Sequence, residues 1–397
     1  MSQEPPRIAI LADWWWPDTV GGAELSARSA ALELARFAQV AIFVPAAVEK
    51  VYADGPLTVH ALRRPFARRV HAESVVRHGM EFLTAWLLPP VTWRLSAAIR
   101  DFDPDVTVAT NVSRTGPWLL RRAKASRSGY VRTFHDLSDT CWRRSRLKAG
   151  HACASICGEC QVKTRIMRAA TPASAVSVCV SGFVQAELIR AGLTTPEESI
   201  VAYPMTGSDT TVRPPATTAG DLVLGYIGRL DPVKGIEPAI RTAAAYRRAT
   251  GKAVSMVVAG EGQAGYVRQL AALADAESLD VDFAGRLDID TFCGRVDAVL
   301  IPSTWMEPFG RVAVEVGSRY RPMLISPTGG LPEAAAVSGG RYAFADFQDP
   351  QGAAQVLADL LNGVAAPARP ATTVLALEQG VVLAVQRALG MGAESGR

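Results

Sequence analysis

Residues 297–333 read DAVLIPSTWMEPFGRVAVEVGSRYRPMLISPTGGLPE. The apolar run after Asp297 stops at Pro302 and predicts a short buried strand, and the loop that follows carries Glu307. Gly310 comes directly after Pro308 and Phe309, so a helix is expected to start near Arg311. That leaves the Glu307 carboxylate and unpaired backbone N–H groups at the helix N-terminal end. Such an end suits an anionic or polyhydroxylated ligand. Glu315 falls about one turn inside the helix and can face the same side as Glu307. Two glutamates at this separation are ordinarily unrelated surface charges. Here a strand precedes them, Gly and Pro shape the turn, and a Gly329-Gly330 turn follows the next strand, with Glu333 just beyond.

Outward in both directions the same alternation repeats. LVLGYIGRL (222–230), a helical run over 231–249, AVSMVVAGEG (253–262) and DVDFAG (280–285) precede the quoted stretch. RIAILAD (7–13), AELSARSAALELARF (23–37), QVAIFV, LTVHAL, DVTVAT, GYVRTF, SAVSVCVS and SIVAY fill the first half. Buried strands alternating with helices form parallel sheets, and open parallel sheets bind ligands at the carboxyl ends of their strands. Gly21, Gly22 and Glu24 follow the first strand, and His135 follows GYVRTF. Gly228-Arg229, Lys234-Gly235 and Gly260-Glu261-Gly262 follow strands of the second half. Plainer readings stand beside these: glycines that only make turns, a Glu24 that only complements a helix dipole, a histidine that only packs. Arg229 and Lys234 are harder to dismiss, because cations at a helix start oppose its dipole.

A chain of 397 residues is too long for one ordinary core and fits two domains. The composition changes to Pro, Thr, Gly and Ser from Pro204 to Asp221, which marks a linker. The expected domains are therefore 1–204 and 221–370, with a linker at 205–220 and a terminal helix within 371–397. Charge is uneven: residues 1–204 carry 25 Lys+Arg against 18 Asp+Glu, so the first half is the one suited to an anionic surface. Between Arg63 and Leu88, five arginines lie among Phe66, Phe82 and Trp86. That pattern fits an anionic membrane or a phosphorylated acceptor, and equally the solvated face of a helix. The chain enters a strand almost at once, and the stretch nearest to a membrane span, FLTAWLL, stops at Pro89-Pro90. The expectation is a cytoplasmic protein, with peripheral contact at the inner membrane face as its one link to lipid and no nucleic-acid partner.

Cys141, Cys153, Cys157 and Cys160 crowd into a segment near 139–162 that reads as an insertion in the first domain. In a reducing compartment they point to metal or bare thiols rather than disulfides. Four thiolates would satisfy a structural zinc. Cys153, Cys157 and Cys160 at helical spacing could instead line one buried helix face. Their C-x3-C-x2-C spacing also matches iron–sulfur radical S-adenosylmethionine enzymes, which carry it after the first strand of a barrel.

Taken in order, these markers resemble the retaining glycosyltransferases of family 4, whose Glu-x7-Glu signature is similar to EPFGRVAVE. The resemblance implies an α/β GT-B fold of two facing Rossmann-like domains with parallel sheets and an interdomain cleft. It implies retaining transfer of a sugar from a UDP- or GDP-sugar to a hydroxyl of a glycan, lipid-linked or small-molecule acceptor. By position it assigns Glu307, Phe309 and Gly310 to the donor sugar, Glu315 to the ribose hydroxyls, and His135 to the sugar hydroxyls. Arg229 and Lys234 fall on the departing diphosphate, where fixed cations meet developing charge. Gly21, Gly22 and Glu24 fall on the diphosphate and acceptor, Gly262 on the same edge, and Arg286 or Asp288 on the base. No catalytic metal is called for, and the last helix is implied to pack on the first domain. Tyr320 stands where the family has a small residue, which predicts crowding beside the helix. A sugar-nucleotide epimerase or hydrolase on the same fold is the rival reading.

Overall fold

Because strands covered on both faces are nearly continuous apolar runs, the first half folds as an almost wholly parallel sheet. Its elements are β1 (Arg7–Leu11), α1 (Gly22–Leu34), β2 (Gln39–Ala46), β3 (Lys50–Asp54), β4 (Leu57–Arg63), α2 (Trp93–Phe102), β5 (Val106–Ala109), α3 (Pro117–Lys124) and β6 (Gly129–Phe134). A small antiparallel pair, β7 (Leu147–Lys148) and β8 (His151–Ala152), comes next, then α4 (Gly158–Ala170), β9 (Val176–Cys179), α5 (Gly182–Arg190) and β10 (Ser199–Val201). The strand order is β10-β9-β6-β5-β1-β2-β4-β3, with only β3 antiparallel. The structure, a computed structural model, describes residues 4–18, 21–64, 86, 93–112, 115–124, 128–148, 151–153, 155–205, 221–363 and 374–390. Most of the basic segment from Arg63 to Leu88, and residues 206–220 of the linker, lie outside the described residues.

The second half restarts with β11 (Leu222–Ile227) and runs through a 3-10 turn at Pro232–Lys234, α6 (Ile236–Thr250), β12 (Val254–Ala259), α7 (Ala264–Ala276), β13 (Asp280–Gly285), α8 (Ile289–Cys293) and β14 (Ala298–Ile301). It continues with α9 (Arg311–Gly317), β15 (Met323–Ile325), α10 (Leu331–Val337), β16 (Tyr342–Phe344) and α11 (Pro350–Leu361). Its six strands are all parallel, in the order β13-β12-β11-β14-β15-β16. Leu224, Val258, Leu300 and Leu324 from the sheet meet Ile236, Ile240, Leu270 and Leu357 from the helices in one core.

The chain then returns to the first sheet with α12 (Leu377–Ala388), which packs on α1, β6 and β9. Backbone bonds pin its entry: Tyr203 N–H donates to the Leu375 carbonyl at 2.9 Å, and Leu377 N–H to the Tyr203 carbonyl at 2.7 Å. One unit thus comprises Met1–Arg146, Cys153–Pro204 and Val374–Arg397, and the other Leu147–Ala152 and Met205–Thr373. In each sheet the first strand has neighbours reached in opposite directions, β2 and β5 for β1, β12 and β14 for β11. These are the switch points where ligands enter open α/β sheets. Among the described residues no helix is long and apolar enough to cross a membrane.

Candidate active-site residues

At the β11/β14 switch point the chain builds a turn around Lys234. The Asp231 carboxylate accepts the Val233 N–H at 3.1 Å, and the Asp231 carbonyl accepts the Lys234 N–H at 2.9 Å. Thr304, after β14, donates its N–H and its hydroxyl to the Val233 carbonyl, each at 3.0 Å, which ties the two loops together. The Lys234 Nζ then lies 3.0 Å from both Oε1 and Oε2 of Glu307 and 4.8 Å from the centre of the Trp305 ring. The Ser303 hydroxyl donates to Glu307 at 3.3 Å. The two charged side chains are only 19% and 14% exposed, so this pair is more sheltered from water than a surface salt bridge.

The Glu307 backbone is fixed from the other side. Its carbonyl accepts the Gly330 N–H at 2.7 Å, and Gly329, at φ 60, passes so close that a Cβ there would overlap the Glu307 backbone. This is the physical reason for Gly329-Gly330: a left-handed conformation combined with close approach. Gly310 N-caps α9 at φ 98, with Leu331 filling the space a side chain would need. Phe309 is 3% exposed, so its side chain belongs to the core and only its backbone is available to a ligand. Glu315 sits one turn along α9, paired with Arg311 at 3.2 Å. Arg229 is exposed, its carbonyl accepting the Tyr226 hydroxyl at 2.8 Å, and Gly262 bridges to Leu230. Asp288 is committed to the N-cap of α8, accepting the Thr291 N–H and hydroxyl at 2.9 and 2.6 Å, whereas Arg286 is exposed. Tyr320 is 59% exposed at φ 56, so the crowding expected beside the helix does not arise.

In the first unit the residues after β1 and β6 gather at the carboxyl edge. Gly21 N–H donates to the Glu24 carboxylate at 2.9 Å, closing the first turn of α1. Gly21 is extended, at φ −169, so no left-handed conformation calls for glycine there. Burial pushes the Glu24 carboxyl up; backbone N–H groups oppose this, and the negative charges of Asp13 and Asp136 add to it. The His135 ring lies 3.4 Å from the Thr133 hydroxyl, and Asp136 accepts the Ser138 N–H at 2.8 Å. Beneath them Arg132, 1% exposed, donates from Nη2 to both carboxylate oxygens of Asp139 at 2.9 Å and from Nη1 to the Ala109 carbonyl at 3.0 Å. Neither Asp13 nor this buried pair stood out in the sequence, although an arginine inside GYVRTF was a signal that a partner must be folded over the strand.

The cysteines separate. Cys157 N-caps α4 and Cys160 lies in its first turn, whereas Cys153 precedes the helix, so the three do not share one helix face. Cys160 is buried beside Cys141 and Cys157, and burial pushes its thiol up to about 11. All four are free thiols, and among the described residues no group of three or more His, Cys, Asp or Glu side chains stands in a metal-holding arrangement.

Residues 209–372, less than half of the chain, match the family model described as glycosyl transferases group 1. An uncharacterized 42.6 kDa protein in the cps region of Klebsiella pneumoniae is 30% identical over 175 residues, 44% of each chain. Glycogen synthase of Mycobacterium tuberculosis is 33% identical over 170 residues, 40% of this chain and 38% of its own. The match thus spans less than half the length of these curated relatives. Among solved structures, Anabaena Alr3699/HepE in complex with UDP and glucose covers 97% of this chain and 94% of its own, with a TM-score of 0.63 and 19% identity. WaaG, a glycosyltransferase involved in lipopolysaccharide biosynthesis, covers 98% and 96%, with a TM-score of 0.62 and 14% identity. The fold is the GT-B fold.

Proposed function

We propose that this protein is a retaining glycosyltransferase that moves a sugar from a nucleoside-diphosphate sugar to a hydroxyl of a glycan, lipid-linked or small-molecule acceptor. The observation that carries the reading is the Lys234–Glu307 pair, held at a switch point by two glycine-built turns and lying inside the stretch that matches the glycosyl transferases group 1 model. In this scheme Arg229 and Lys234 meet the charge that develops on the departing diphosphate. Glu307 holds sugar hydroxyls, and Glu315 holds the ribose. Arrival of the donor would give Lys234 a second anion and Glu307 a set of hydroxyl donors, so the existing pair orients both groups in advance. His135, Gly21, Gly22 and Glu24 serve the sugar and acceptor from the first unit, and a donor phosphate oxygen takes the acceptor proton. Side-chain cations do the work that a metal does in other transferases.

UDP and glucose in the Anabaena protein make UDP-glucose the first donor to test. A panel of UDP- and GDP-sugars screened by thermal shift should single one out, since a ligand at 100 times its Kd adds about 2.7 kcal/mol of stability. With that donor and an acceptor, nuclear magnetic resonance of the product should show the anomeric configuration of the donor retained. Free sugar or its epimer formed at full rate without acceptor would replace this reading by a hydrolase or epimerase.

A structural zinc on Cys141, Cys153, Cys157 and Cys160 is a separate proposal. It rests on the number and kind of the thiols and on Cys141 and Cys157 lying near Cys160, and it requires all four to be drawn together, since no three of them stand in a metal-holding arrangement.

A further inference from the structure

The first unit contains a cavity of about 570 Å³ between α4 and α5. Its lining includes Arg146, Arg165, Arg168 and Arg190, with Glu187 and Thr164. Arg168 and Arg190 lie near the ends of α4 and α5, and Ser155, Ile156 and Gln161 carry the lining back to the start of α4.

The charge at this cavity does not balance. Arg146 is 6% exposed and Glu187 5%, and the two form an ion pair at the floor. Glu187 also pairs with Arg190, so one carboxylate serves two guanidinium groups. Arg165 and Arg168 are exposed and three residues apart, which puts them on one face of α4 with like charges adjacent. The Arg168 guanidinium reaches over to Gly192, beyond the end of α5. Arg168 and Arg190 lie in the last turns of their helices, where a cation complements the dipole. Arg146 and Arg165 have no such reason, and a buried arginine that shares its carboxylate with a second guanidinium leaves positive charge in a sheltered place. The volume lies within the range of small-molecule sites, and several guanidinium forks around one space are the usual means of holding phosphate bidentately.

We propose that this cavity binds a phosphate-bearing ligand, as a phosphate ester or a diphosphate, on side chains distinct from those assigned to the donor. The inference goes beyond the proposed transferase activity and does not depend on it. The ligand can be soluble or the headgroup of an anionic lipid, and two probes distinguish these sources.

Arg165 and Arg168 are the residues to change, because they are exposed and the fold does not rest on them, unlike the buried Arg146. The test uses the full chain carrying Arg229→Ala and Lys234→Ala, so that the cations assigned to the donor diphosphate are absent. Inorganic pyrophosphate is titrated by calorimetry, and vesicles of equal parts phosphatidylcholine and phosphatidylglycerol are tested by co-sedimentation. Binding to either probe should weaken at least tenfold when Arg165→Ala and Arg168→Ala are added, and less when both are changed to Lys, which keeps the charge but loses the fork. Loss of pyrophosphate binding identifies a soluble ligand, and loss of vesicle binding alone identifies a lipid. If neither probe binds, or if binding is indifferent to both substitutions, the inference is wrong.

Discussion

Lys234 and Glu307 lie 73 residues apart in the chain and 3.0 Å apart in the fold. If Glu307 serves the sugar as it distorts and Glu315 serves the ribose, their substitutions should separate. Glu307→Ala should lower turnover by roughly 10²–10³-fold and leave UDP affinity within a few-fold, whereas Glu315→Ala should weaken UDP binding and largely spare turnover. Steady-state kinetics with UDP calorimetry checks this, and equal losses of affinity with normal turnover would reverse the assignment. The type and setting of each residue were legible in the sequence, because strand, turn and glycine all announce a strand's carboxyl end. Their pairing was not, since it exists only once β11 and β14 are neighbours. A second prediction concerns Glu24, whose carboxyl is raised in the folded protein, chiefly by burial. A raised carboxyl contributes stability below its unfolded pKa and loses it as pH rises through the folded value. Glu24→Gln keeps an oxygen to accept the Gly21 N–H and cannot ionise. It should therefore melt higher than the wild type near pH 7, with the difference closing as the pH falls to about 4.

At the scale of elements, the long periodic runs were readable because burial on both faces leaves so little freedom of composition. The helix expected near Arg311 begins there. β3 was missed because KVYAD carries charge at both ends and lies at the sheet edge, where one side faces water. β16 was missed because three residues carry no period. Gly329-Gly330 was read as a turn, and the structure adds that it braces the Glu307 backbone. Gly329→Ala should thus cost about 1–3 kcal/mol in urea unfolding and also lower turnover, because the overlap is with Glu307 itself. The cysteine segment was the least legible. Helical spacing put Cys153, Cys157 and Cys160 on one face, but the helix begins only after Cys157. If the proposed zinc binds, elemental analysis of protein purified without added metal should find about one zinc per chain, and Cys157→Ser should lose it; a metal-free, fully active preparation would end that proposal.

At the scale of the molecule, the first unit is discontinuous. α12 adds Leu377, Val381, Ala384 and Val385, each at most 3% exposed, to a sheet whose strands ended at β10. Fully burying Leu or Val contributes about 1.5–3 kcal/mol each, so this one helix accounts for much of the margin of a domain of ordinary stability. A chain ending at residue 373 should unfold its first unit at clearly lower urea than the full chain, with the second unit's transition unchanged. Two transitions resolved by tryptophan fluorescence would check this.

That return of the chain also sets an order of events during synthesis. The 169 residues from Met205 to Thr373 must leave the ribosome before α12 does, a delay of roughly 10–30 s at ordinary elongation rates. Through that interval the faces of β6 and β9 that α12 covers remain bare, while the second unit, nearly continuous in sequence, has all its strands and helices to hand. The half translated first is the half completed last, and its bare apolar face is the place where a nascent-chain chaperone would be needed.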